Sequence, residues 1–229
     1  MDETPDPFTD RPDRTQELRG VLAEAASSAL ELVASPEVGR EWHQPSVLEG
    51  MTVGGLSAHF IMALRRTIEL LDQPAPDTDR LATPFEFFGD NRRERDSALD
   101  DERARFIVAA SEDGASEGQA EVVDELTSVI AQVDADLAAA PARTTIATAR
   151  IPDARARLDD FLRTRLVEVV LHGDDLACSV GVVWHPPTRA GAEVVDLLVE
   201  MATERVGTLE VLRALAREER AIPGGLRVL

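Results

Sequence analysis

Residues 163–176, RTRLVEVVLHGDDL, constrain the fold more than any other stretch of this chain. At 100° per residue, Leu162, Leu166, Val167, Val169, Val170, Leu171 and Leu176 cover roughly two thirds of a helix circumference, where a surface helix needs an apolar stripe of only about 100°. Such a helix must be wrapped by neighbours on several sides, so the chain needs enough other helices to surround it. Glu168 and His172 are four residues apart and lie one turn apart on one face, and Asp175 falls on that face three residues on. A carboxylate on so apolar a helix needs a partner. A metal ion shared with the histidine supplies one. An ordinary polar stripe supplies another, with Glu168 paired to Arg165 and His172 to Asp175.

The rest of the sequence reads as the wrapping. A first helix over about 13–34 carries Leu18, Val21, Leu22, Ala25, Ala29, Leu32 and Val33 at helical spacing, with Asp13 and Gln16 as a capping box and Ser35-Pro36 as its stop. After a loop, Thr52 caps VGGLSAHFIMALRRTIELLD, whose core side is Val53, Leu56, Phe60, Leu64, Ile68 and Leu71. His59 sits at the margin of that side. Gly54 and Gly55 fit either a close backbone approach or a frayed start. FEFFGDN is an apolar anchor before a cap at Asn91, and residues 92–112 form a charge-dense helix. Residues 119–139 repeat apolar positions every three or four residues up to Pro141, and TTIATA is a short extended piece. Asp153 caps the helix carrying Glu168 and His172, which ends near Gly181. A final helical section after Pro186-Pro187 breaks at Gly207. With strand signals almost absent, the expectation is an all-α fold: a four-helix bundle over 13–184, a helical extension over 185–229 packed on it, and a disordered acidic tail at 1–12.

Charge excludes one large class of partner. Arginine supplies all 24 basic residues against 43 acidic ones, for a net charge of −19 and a pI near 4.5, with no basic stripe to follow a nucleic-acid backbone. Absence of lysine removes Schiff-base and P-loop lysine chemistry. No run approaches 18 apolar residues and the N-terminus lacks a signal-peptide core, so neither a membrane span nor export is expected. Cys178, the single cysteine, fits a reducing cytoplasm and is expected to be a buried structural thiol.

A bundle builds metal sites from side chains on facing helices. Of the four histidines, His43 and His185 follow tryptophans in loops and are expected beside packing anchors. That leaves His59 on the second helix with Glu168 and His172 on the fourth. Two histidines and a carboxylate leave a position open on zinc, as catalytic sites do.

The segments EWHQPSVLEGMTVGGLSAHF and FLRTRLVEVVLHGDDLACSVG resemble the two signature regions of the mycothiol-dependent maleylpyruvate isomerase family, a DinB-like metal-binding bundle. Trp42, Thr52 and His59, then Arg165, Glu168, His172, Asp175 and Leu176, stand where that family's pattern has them. The resemblance is to a short form without the C-terminal α/β domain. It implies His59, Glu168 and His172 as ligands of a divalent metal, zinc in the first instance. It further implies mycothiol as thiol cosubstrate and a transferase or isomerase in which a metal-bound thiolate attacks a small electrophile. Asp175 would orient His172, and Arg165 would hold Glu168 or meet a substrate carboxylate, which makes both candidate catalytic residues. A non-catalytic metal-binding or regulatory bundle and a metal-dependent hydrolase stand as rivals. The expected partners are a low-molecular-weight thiol and a small electrophile, with a homodimer left open.

Overall fold

The computed structural model describes residues 12–88, 102–148, 151, 153–217 and 226. Four long helices form the bundle: α1 (Thr15–Val33), α3 (Val53–Leu71), α6 (Gln119–Ala139) and α7 (Leu158–Val180). Around them lie α2 (Pro36–Arg40), α4 (Pro84–Phe88), α5 (Glu102–Gly114), α8 (Thr188–Val206) and α9 (Thr208–Ala216), with a two-stranded antiparallel sheet of β1 (Thr145–Ala147) and β2 (Arg155–Arg157). The fold is the all-α DinB-like bundle expected from the sequence, and the extended piece at TTIATA is β1.

Cross-links between helices fix their directions. Gln16 Nε2 donates to the Leu137 carbonyl and Gln119 Nε2 to those of Val33 and Ser35, so α1 and α6 run antiparallel. Arg14 N donates to Asp159 while Trp184 Nε1 donates to Ser28, so α1 and α7 run parallel. Arg165 donates to the Ala63 carbonyl and His59 meets His172, which sets α3 antiparallel to α7. Around the bundle the order is α1, α6, α3, α7, and α7 packs on α1, α3, α4 and α8 at once. That encirclement explains its apolar circumference: Leu158, Phe161, Leu162, Leu166, Val167, Val169 and Leu176 are all buried. The charged residues it buries are paired, Asp159 with Arg157 and Arg163 with Glu200 in a two-pronged bridge.

Helix ends depart from the sequence reading in several places. Gln16 spends its amide on Leu137 and Asp13 accepts from Thr15, so no capping box forms and Arg14 is the N-cap residue. Ser35-Pro36 ends α1 by starting α2, with Pro36 in the first helical position and Ser35 Oγ accepting from Val38 N. Asp153 sits in a turn at φ 55°, before β2, and α7 begins only at Leu158. The proposed cap at Asn91 lies outside the described residues. Thr52 caps α3 as expected, its Oγ1 accepting from Gly55 N. Cys178 is exposed, contrary to expectation. It lies one turn beyond exposed Asp174, on the side of α7 that its neighbours leave open, while Leu176 and Ala177 take the inward side.

Candidate metal centre

The site forms where α3 and α7 cross in opposite directions. His59 comes from α3, Glu168 and His172 from α7, and one potential ligand atom from each lies within 4.8 Å of the others. The imidazole rings meet edge to face, centroids 4.8 Å apart at 82°. His172 Nε2 is 3.2 Å from Glu168 Oε2. Two ligands of one tetrahedral zinc ion stand about 3.3 Å apart, given metal–ligand distances near 2.0 Å. The pair on α7 is therefore already at ligand spacing.

Each ring has its second nitrogen occupied. His172 Nδ1 is 3.1 Å from Asp175 Oδ2, and His59 Nδ1 is 3.3 Å from Ser111 Oγ on α5. Outer partners of this kind fix the orientation and tautomer of metal-bound histidines. Of the two side chains expected to support the site, Asp175 touches His172 and Arg165 Nη2 lies 3.7 Å from Glu168 Oε1. Arg165 is buried, stacks over the Phe161 ring at 4.8 Å and donates to the Ala63 carbonyl. Its guanidinium faces Glu168 from within the core, where burial pulls its pKa below the ordinary value and the Glu168 charge resists.

Electrostatics separate the three inner groups. Burial opposes ionisation of Glu168, but the hydrogen bond from His172 and the charge of Arg165 win and lower its pKa to about 2. Burial and the neighbouring His172 charge push His59 down to about 4. Burial also works against the charge on His172, yet its bonds to Asp175 and Glu168 raise it to about 9. Without an ion, the cluster at neutral pH is thus a carboxylate, a neutral imidazole and an imidazolium whose Nε2 proton lies between His172 and Glu168. Two imidazole nitrogens and a carboxylate brought together in this way are a possible ligand set for a metal ion in place of that proton.

The sequence signatures around the site also have their explanation. Trp42 is buried and donates to the Ala115 carbonyl, and a Cβ on Gly54 would sit 2.6 Å from its ring. A Cβ on Gly55 would meet the Glu112 carboxylate, which accepts from Thr52 N and Oγ1. Both glycines therefore serve close approach, by Trp42 and by α5. The Trp184 ring packs on Gly173, while His43 and His185 are exposed and are not part of the cluster. Ser111 and Glu112 escaped the sequence reading because a serine–acid pair in a charge-dense helix carries no periodic signal.

A family model described as the mycothiol maleylpyruvate isomerase N-terminal domain matches residues 22–177, a span that holds every residue of the cluster. The chain belongs to that family. Searches of curated proteins and of solved structures return no match. Within this mycothiol-related family the chain presents a possible metal-ligand triad of His59, Glu168 and His172. Among the described residues, no helix is long and apolar enough to cross a membrane.

Proposed function

We propose that this family member is a metal-dependent enzyme that uses a low-molecular-weight thiol, mycothiol, to attack a small electrophile, acting as a transferase or isomerase. What carries the reading is the triad itself: two imidazoles and a carboxylate from two helices, each imidazole braced through its other nitrogen. His59, Glu168 and His172 would hold the ion, zinc by donor type. When bound, a divalent ion with an open position supplies the Lewis acidity that lets a thiol lose its proton near neutral pH.

The protein's own residues account for the rest. Asp175 accepts from His172 Nδ1 and keeps that ring turned toward Glu168. Arg165 holds Glu168 ionised from behind. The triad is half-buried, Glu168 and His172 being 24% and 20% exposed, so charge interactions there are stronger than in bulk water while the site still opens to solvent. The hydrolase reading is the weaker, because the acid nearest the ligands, Asp175, is engaged by His172 and is a poor candidate for a base that activates water. A cytoplasmic setting, where mycothiol would be available in reduced form, belongs to the same proposal.

The test is thiol consumption with a panel of small electrophiles, comparing mycothiol with glutathione. Zinc-loaded protein should consume thiol, the rate should vanish with a chelator, and His172→Ala should be inactive. No electrophile-dependent thiol loss above the uncatalysed rate, in protein that holds its metal, contradicts the reading.

A further inference from the structure

Histidine can offer a metal only the nitrogen that carries no hydrogen, so what fixes the tautomer decides whether a ligand is available. For His172 the acceptor is a carboxylate, which leaves no choice. For His59 the neighbour is a hydroxyl, which can either donate or accept. Ser111 is fully buried on α5, with Oγ 3.3 Å from His59 Nδ1 and 3.5 Å from Met62 Sδ. It has one proton for two neighbours. If that proton goes to Nδ1, the imidazole hydrogen sits on Nε2 and blocks the one nitrogen that Ser111 leaves for a ligand role. If it goes to the Met62 sulfur, Oγ accepts from Nδ1–H and the Nε2 lone pair is free.

We propose that Ser111 is a positioning residue that, with Met62 taking its hydroxyl proton, holds His59 in the tautomer carrying hydrogen on Nδ1. The inference rests on His59 as a ligand, but it concerns a residue of α5 that the triad does not include. It also gives α5 a part in the site. The same turn anchors Glu112 on Thr52 at the start of α3 and offers the Ala115 carbonyl to Trp42, so the chain directly after Ser111 is tied to α3 and to the loop before it. The thioether is a weaker acceptor than the ring nitrogen, and what favours it is the relay it completes, Nδ1–H to Oγ and Oγ–H to Sδ, which gives both protons an acceptor.

The experiment is nitrogen-15 NMR of metal-free, histidine-labelled protein at neutral pH, which reports directly which ring nitrogen bears hydrogen. His59 signals are assigned by their loss in His59→Asn. Wild type should show His59 protonated at Nδ1. Ser111→Ala should move the ring toward the Nε2–H form and weaken zinc binding, measured by competition with a chromophoric chelator, by about 10–100-fold. Met62→Leu should move both in the same direction with Ser111 in place. A wild-type ring protonated at Nε2, or a tautomer unchanged in Ser111→Ala, overturns the proposal even if zinc binds. A wild-type ring protonated at Nδ1 in a chain that binds no zinc supports the tautomer and overturns the metal reading instead.

Discussion

His172 Nε2 faces Glu168 Oε2 at 3.2 Å across one turn of α7, and His172 Nδ1 faces Asp175 Oδ2 at 3.1 Å. One imidazole thus bridges two carboxylates, and a metal ion shared by His172 and Glu168 would have to displace the proton between them. Binding a cation there means losing that proton.

Metal affinity should therefore depend on pH in a defined way. In the metal-free protein His59 is already neutral above about 4, while His172 keeps its proton up to about 9. Between those limits affinity should rise about tenfold per pH unit, with one proton released per ion. Calorimetry in buffers of differing ionisation enthalpy measures the proton count, and a count of zero at pH 7 would remove the proton from the pair. The same shift bears on stability. The folded pKa of His172 lies above its ordinary 6.5, so its charged form contributes fully below about 6.5 and that contribution is lost as pH rises through about 9. Metal-free wild type should lose thermal stability over that alkaline window, and His172→Gln should lose less.

Asp175 is partly exposed, so Asp175→Asn should fold normally. Its amide can present NH₂ to His172 Nδ1 and favour the tautomer with hydrogen on Nε2. Zinc affinity should fall about 10–100-fold in chelator competition. Equal competition curves for variant and wild type would reduce Asp175 to a helix-end acid.

Gly173 lies beside His172, and a Cβ there would stand 2.5 Å from the Trp184 ring. Alanine is the better helix former by about 1 kcal/mol, yet overpacking costs about 1–3 kcal/mol. Gly173→Ala should therefore lower the Tm by a few degrees. In a Trp184→Leu background, which makes room, the same substitution should be neutral or stabilising. Equal effects in both backgrounds would rule out the ring contact as the cause.

Much of this architecture was legible in the residues. The helix periods of α1, α3, α6 and α7 follow apolar spacing, and the breadth of the apolar surface on α7 already required neighbours on several sides. The i,i+4 relation of Glu168 and His172 followed from spacing alone, and the i,i+3 relations of Glu168 with Arg165 and of His172 with Asp175 are both present. Both contacts of the polar stripe, Arg165 with Glu168 and His172 with Asp175, are present, and Glu168 and His172 also belong to the possible triad with His59. What spacing could not give is contact between helices. Nothing in sequence places Ser111 on His59 or Arg165 on the Ala63 carbonyl, because those approaches depend on how α5, α3 and α7 cross. Caps failed where a tertiary partner outbid the local one, as Leu137 did for Gln16.

The most direct test of the triad and its open position is cobalt substitution followed by thiol titration. Metal-free protein should take up one Co²⁺ per chain, and His59→Ala and His172→Ala should lose that site. Added mycothiol should then produce an intense sulfur-to-cobalt charge-transfer band in the near ultraviolet, since a deprotonated sulfur is a better ligand than water for such an ion. Cobalt bound equally by wild type and both variants, or bands that ignore thiol at any concentration, would contradict the account.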